Sequence, residues 1–274
     1  QFGQDSNPLY MPIGGDYRDK PALVDINNDG LVDLFIGDGD GTISYFENTG
    51  TAAQPVFTPR LDADNLFDGV DVGSYAAPTF ADVDDDGLID AVVGDNDGYL
   101  NYFHNTGTAE APQFTEQTGV DNPFNGMRVT ASSGDSTPHF ADVNNDGAVD
   151  LVVGDYDGYL HYVENNGDGT FDFYNYSSGS NPFNGVAVGY DSAPALFDRN
   201  NNGRINTGDA IVVGTRDNYF EYFQKEEDGS FTRYQEYDTD NPLYDVDGGY
   251  RNAPAFADLD DDGDMDMAVG NDDN

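Results

Sequence analysis

Apolar runs of three or four residues, each closed by a glycine, recur along the chain at a nearly constant spacing. Leu34-Phe35-Ile36-Gly37, Ala91-Val92-Val93-Gly94 and Leu151-Val152-Val153-Gly154 have the length of strands and are too short for helices. Before each lies a stretch opening on proline, such as Pro78-Thr79-Phe80-Ala81 or Pro254-Ala255-Phe256-Ala257. After each comes a turn, Asp38-Gly39-Asp40-Gly41, Asp95-Asn96-Asp97-Gly98 or Asp155-Tyr156-Asp157-Gly158, whose glycines take the positive φ of a tight hairpin. The segment beyond alternates, sending Ile43/Tyr45, Leu100/Tyr102 and Leu160/Tyr162 to one face. A link with Asn48-Thr49-Gly50 or Asn105-Thr106-Gly107 leads to a fourth, more polar strand containing Phe57, Phe114, Phe171 or Phe231. No useful stretch carries a 3.6-residue apolar period, which predicts essentially no helix.

Aligned on Pro21, Pro78, Pro138, Pro194 and Pro254, the units are offset by 57, 60, 56 and 60 residues. Four strands per unit at a fixed period predict an all-β chain, a β-propeller of four-stranded antiparallel blades with about five blades. The expected layout is one domain over 1–274. Residues 1–20 supply the outer strand of a closing blade, 21–77, 78–137, 138–193 and 194–253 form blades, and 254–274 give the closing blade's inner strands. That blade lacks a third strand in the sequence. A larger parent propeller, a strand donated by another molecule and an open ring all remain open readings.

The segment between the first and second strand of each unit reads D-x-[DN]-x-[DN]-G-x-x-D in four copies. They are Asp25, Asn27, Asp29, Asp33; Asp82, Asp84, Asp86, Asp90; Asp142, Asn144, Asp146, Asp150; and Asp258, Asp260, Asp262, Asp266. Alternate side chains of a loop curled by glycine converge on one cation, with a seventh-position backbone carbonyl from Leu31, Leu88, Ala148 or Asp264. Hard oxygen donors in this number point to Ca²⁺ rather than Zn²⁺. The pattern follows an EF-hand loop for five positions and then departs, because its twelfth residue is apolar (Ile36, Val93, Val153, Val269). A fifth loop, Asp198, Asn200, Asn202, Arg204, Asn206, is degenerate: it lacks a carboxylate at Asn202, carries arginines and has four extra residues before the next glycine. Weak or no calcium is expected there, giving about four sites in all.

These loops, the V-V-G-D strands (Val92-Val93-Gly94-Asp95, Val152-Val153-Gly154-Asp155) and the Y-F-x-N-T-G strand ends (45–50, 102–107) resemble the FG-GAP or VCBS repeats of integrin α-subunit propellers, fungal propeller lectins and secreted microbial proteins. The resemblance covers nearly the whole chain. It implies a calcium-stabilised extracellular propeller used for adhesion or glycan recognition, and no single ligand.

Charge adds to this picture. The formal net charge is −43, from 53 acidic and 10 basic residues, and only 8 of the acidic residues are Glu. Aspartate is the carboxylate that turns back on a tight loop or a hard cation. Salt adaptation is the other source of surplus acid. Either way, nucleic acid and anionic membranes are poor partners, and no apolar run is long enough to span a bilayer. The chain has no cysteine, so disulfides and thiolate metal sites are excluded. The expected location is secreted, extracellular or cell-surface, where millimolar calcium suits loops of modest affinity.

No catalytic constellation can be assembled. His104 replaces Glu47, Glu164 and Gln224 of the sister units, His161 replaces Ser44, Asn101 and Glu221, and His139 replaces Ala22, Thr79, Ala195 and Ala255, which reads as variable surface or rim. The expectation is a non-enzymatic recognition or adhesion module, including lectin-like carbohydrate binding, with a glycan or extracellular protein as partner. Its candidate ligand residues lie in the loops returning to each inner strand: Tyr17, Arg18, Tyr75, Tyr190, Tyr250 and Arg251. The alternative is a structural block of an extracellular assembly, self-associating through the incomplete blade, or an accessory domain of a larger secreted protein. Asn175-Tyr176-Ser177 is the one glycosylation sequon.

Overall fold

A computed structural model describes residues 18–129, 134–198, 205–234 and 238–272. Residues 1–17 of the expected outer strand of the closing blade, Tyr17 among them, and Asn200, Asn202 and Arg204 lie outside these. Eighteen strands are described, with no α-helix among these residues; 3₁₀ turns at Asp62–Asp64 and Gly119–Asp121 are the helical elements.

Four sheets have four antiparallel strands in sequential order. Blade 1 is β1 (Lys20–Val24), β2 (Asp33–Gly37), β3 (Ile43–Asn48) and β4 (Phe57–Arg60). Blade 2 is β5 (Ala77–Ala81), β6 (Asp90–Gly94), β7 (Leu100–Asn105) and β8 (Phe114–Gln117). Blade 3 is β9 (Thr137–Ala141), β10 (Asp150–Gly154), β11 (Leu160–Asn165) and β12 (Phe171–Tyr174). Blade 4 is β13 (Ala193–Phe197), β14 (Ala210–Gly214), β15 (Phe220–Lys225) and β16 (Phe231–Tyr234), and blade 5 is the pair β17 (Ala253–Ala257) and β18 (Asp266–Gly270).

The blades form a propeller ring, and the core lies between them. Five apolar clusters each join neighbouring blades: Phe35 and Phe67 meet Val93 and Phe103, Val92 and Tyr102 meet Leu151 and Val163, and Val152 and Leu160 meet Ile211 and Phe223. Tyr222 and Phe220 meet Phe256 and Met267, and Leu259 of blade 5 meets Leu34 and Phe46 of blade 1, which closes the ring. Second strands are sandwiched on both faces, which is why they read as continuous apolar runs; all five residues of β2, β6, β10 and β14 are buried.

The glycine ending each second strand belongs to this seam. A Cβ on Gly94 would stand 2.0 Å from the Ser136 carbonyl oxygen, on Gly154 2.1 Å from that of Ser192, and on Gly270 2.1 Å from that of Asp19. Backbone bonds repeat across the same seam, with the N–H of Ala76, Ser136, Ser192 and Asn252 donating to Asp38, Asp95, Asp155 and Thr215 carbonyls at 2.9–3.1 Å. The V-V-G-D aspartates cap this turn: Asp95 Oδ1 accepts the Asp97 and Tyr99 N–H groups at 2.8 and 3.0 Å.

Candidate calcium loops and the axial face

Each acidic loop is wound by its own first carboxylate. Asp25 accepts the N–H groups of Asp29 (3.1 Å) and Gly30 (2.9 Å); Asp82, Asp142 and Asp258 do the same for Asp86 and Gly87, Asp146 and Gly147, and Asp262 and Gly263. The fifth-position carboxylates Asp29, Asp86, Asp146 and Asp262 accept the N–H of Leu31, Leu88, Ala148 and Asp264 at 2.8–2.9 Å. The curl requires positive φ at Gly30 (84°), and the exposed fourth-position residues Asn28, Asp85, Asn145 and Asp261 also adopt it.

These bonds bring the odd-position side chains together. Donor atoms of Asp82, Asp84 and Asp86, and of Asp258, Asp260 and Asp262, lie within 4.8 Å of one another. In blades 1 and 3 the third position is an amide; Asn27 and Asn144 Oδ1 accept the Asp29 and Asp146 N–H at 3.0 and 2.9 Å. Asp260 Oδ1 is buried and accepts no hydrogen bond. A buried carboxylate oxygen with no donor is unfavourable unless a cation faces it, so the donor set fits a hard divalent ion.

The ninth-position aspartates begin the second strands; Asp33, Asp90 and Asp150 are among the most buried charges in the protein, while Asp266 is half-buried. Asp150 Oδ2 accepts Val143 N–H (3.0 Å) and Tyr162 Oη–H (2.9 Å), and Oδ1 accepts Asn165 N–H (2.9 Å). Asp90 repeats the pattern with Val83, Tyr102 and Asn105, and Asp33 with Tyr45 and Asn48. In blade 5, Asp266 accepts Leu259 N–H at 3.1 Å. Burial pushes the Asp33 carboxyl up to about 7 and Asp150 up to about 6, against the bonds that favour their charged forms, and raises Asp90 and Asp266. The partner asparagines Asn48, Asn105 and Asn165 escape a reading confined to ligand spacing. Each also donates to the carbonyl of Val32, Ile89 or Val149, tying strand three to the loop, and for Asn48 and Asn105 the signal was the N of Y-F-x-N.

Blade 4 departs further than its sequence indicates. Counting places Asn206 ninth, yet strand register pairs Ala210 with Phe197 as Asp33 pairs with Val24, so alanine occupies the anchoring position. Asp209 Oδ2 instead accepts Asn206 N–H at 2.8 Å, and Lys225 stands where blades 1, 2 and 3 have asparagine. Lys225 Nζ donates to the Val143 carbonyl at 2.7 Å, beside the loop of blade 3. Asp198 is buried.

At one end of the axis, Arg18, Tyr75, Asp135, Asp191 and Arg251 occupy the same place three residues before each inner-strand proline, all with φ between 55° and 66°. The ring brings them together. Arg18 is buried, bonds Asp135, lies 3.7 Å from Asp191 and stacks over Tyr75 at 4.0 Å. Asp191 also accepts from Arg216 (2.7 Å) and Arg251 (3.1 Å), and Arg251 pairs with Asp272 (2.9 Å). Burial opposes ionisation of both aspartates: it raises Asp135, whereas the Arg216 bond and the charges of Arg18 and Arg216 pull Asp191 down. Of the candidate ligand residues, Arg18, Tyr75 and Arg251 join this plug, while Tyr190 and Tyr250 are exposed beside it. Behind it the inner strands line a cavity of about 90 Å³.

Two of the three histidines, His161 and His139, correct the rim expectation. His161 is buried, its Nε2 2.9 Å from Asp155 Oδ2 and its ring stacked on Phe173. His139 lines the axial cavity, and burial lowers it to about 4. His104 is partly exposed, against the blade 2 loop.

Fold and loops together define a β-propeller built from repeats that carry an acidic loop between their first two strands. The FG-GAP-like repeat matches residues 25–93, 82–153 and 142–207, more than half of the chain, and the protein belongs to that family. No curated protein sequence matches the chain. Similar solved structures include an Agrocybe aegerita lectin described as recognising non-reducing terminal N-acetylglucosamine, 19% identical with a TM-score of 0.45, over 92% of this chain and 61% of that one. Another is a Photorhabdus luminescens Tc holotoxin pore, 18% identical with a TM-score of 0.41, over 94% of this chain and 11% of that one. The chain thus spans less than two thirds of either relative's length.

Proposed function

We propose that the protein is a calcium-binding propeller acting outside the cell as a recognition or adhesion module, with carbohydrate as the first ligand class to test. The observation carrying the calcium reading is the convergence of Asp258, Asp260 and Asp262, with Asp260 Oδ1 buried and unpartnered. Asp25, Asn27, Asp29 and Asp33, with their counterparts in blades 2, 3 and 5, would hold the ion together with the seventh-position carbonyls. Calcium would neutralise carboxylates that the fold crowds together in a chain of net charge −43.

Recognition is assigned to the axial face. Tyr190 and Tyr250 are about half exposed there, and Tyr156 and Tyr190 flank Arg216 at 4.9 and 4.8 Å. Flat phenol faces with hydroxyl tips suit sugar rings. Extracellular location draws on the family and on millimolar calcium. No helix among the described residues is long and apolar enough to cross a membrane. A glycan array in calcium and in chelator, repeated with Tyr190→Ala/Tyr250→Ala, tests the assignment. Calcium-dependent binding lost in the double variant supports it; binding to no glycan in either condition removes the carbohydrate reading. The second reading, a structural block, draws on β18, which pairs with β17 alone among the described residues.

A further inference from the structure

The loop of blade 2 is approached by an imidazole nitrogen, which the acidic loops of the other blades lack among the described residues. His104 Nδ1, on β7, lies 3.3 Å from Asp90 Oδ1 and 3.5 Å from Asp84 Oδ2, and one donor atom from each of the three residues lies within 4.8 Å of the other two. At the same strand position blade 1 places Glu47, engaged by Arg60 Nε at 2.6 Å. Blade 3 places Glu164, which accepts from Asn144 Nδ2 at 3.3 Å, and blade 4 places Gln224.

We propose that Asp84, Asp90 and His104 form a site for a borderline divalent cation of the zinc class, which takes the place of calcium in this one loop. The inference uses the calcium reading of the loop but a different donor set. Two donors around a tetrahedral ion bound at about 2.1 Å stand about 3.4 Å apart, which is the spacing His104 Nδ1 keeps from both carboxylates. Imidazole moves preference toward zinc, cobalt, nickel and copper and away from calcium, which favours oxygen. The anchor is rigid: Asp90 Oδ2 is held by Tyr102 Oη–H at 2.9 Å and Val83 N–H at 3.2 Å, and Oδ1 by Asn105 N–H at 2.7 Å, bonds that orient a carboxylate ligand. Asp84 and His104 are the accessible members, their side chains 45% and 27% exposed. Metal binding through Nδ1 leaves the ring proton on Nε2.

The test is calorimetric titration of the full chain with zinc chloride, and separately with calcium chloride, for wild type and His104→Gln. Glutamine already occupies this position in blade 4. Wild type is expected to bind one zinc at least tenfold more tightly than any further zinc and to take up one fewer calcium once zinc-loaded. His104→Gln is expected to lose the tight zinc while keeping the calcium of the loops in blades 1, 3 and 5. Cobalt supplies a second readout, with visible absorption bands present in wild type and absent in the variant. Equal zinc affinity in both proteins, or no zinc tighter than the rest in wild type, overturns the proposal. A flat calcium titration beside an intact tight zinc would instead overturn the calcium reading and leave this site standing.

Discussion

Replacing Asp150 with alanine separates two roles that one residue is asked to fill. As a metal ligand alone, Asp150 would matter only when calcium is present. The structure gives it a second duty, because its carboxylate is fully buried and receives Val143 N–H, Tyr162 Oη–H and Asn165 N–H, all at 2.9–3.0 Å. Asp150→Ala leaves three buried donors without an acceptor, each costing about 1–3 kcal/mol, and relaxation at the site brings the expected total to about 3–5 kcal/mol. Part of this is offset, since Asp150 is itself held in an environment that disfavours its charge. Urea denaturation in excess chelator measures the effect without calcium. A loss of at least about 2 kcal/mol in chelator is expected, with a further loss in calcium as one site disappears. A variant as stable as wild type in chelator, and weaker only in calcium, would refute the structural role.

Further outcomes follow from the same geometry. Asp33 and Asp150, raised by burial to about 7 and about 6, hold protons in the folded chain where the unfolded chain has released them. Protonation therefore favours the fold, and in chelator the melting temperature should fall as pH rises from about 4 to about 7; calcium should flatten this slope, and a rise with pH in chelator would contradict the assignment. Gly154→Ala drives a methyl to 2.1 Å from the Ser192 carbonyl oxygen across the blade seam, with an expected cost of about 3 kcal/mol by thermal denaturation; an unchanged melting temperature would mean the seam yields freely. Asp191→Asn leaves Arg18, Arg216 and Arg251 short of their shared carboxylate, and a loss of about 3 kcal/mol, retained at high salt because Asp191 and Arg18 are buried, is expected from denaturation curves.

The blade pattern was legible because its causes are local. Apolar runs sandwiched between neighbouring sheets must be strands, and the five inner strands begin at the positions the prolines mark. The loops were legible for the same reason, since Asp25 or Asp82 binds N–H groups only four and five residues away. What stayed hidden depends on ring closure. Arg18 meets Asp135 and Asp191 across more than a hundred residues, so loops that read as ligand-accessible include a buried ionic plug. His161 looked peripheral because its sister residues are mostly small or polar, yet it fills a buried position beside Asp155 and Phe173. In blade 4, counting along an insertion misassigned the ninth position; only the pairing of Ala210 with Phe197 shows that the anchoring aspartate is replaced.

We propose that the acidic loops are calcium sites. Counting bound ions by native mass spectrometry, after exchange into millimolar calcium, tests it most directly. Four calcium ions per zinc-free chain are expected, falling to three in Asp258→Ala/Asp260→Ala; a chain that carries none would contradict the account.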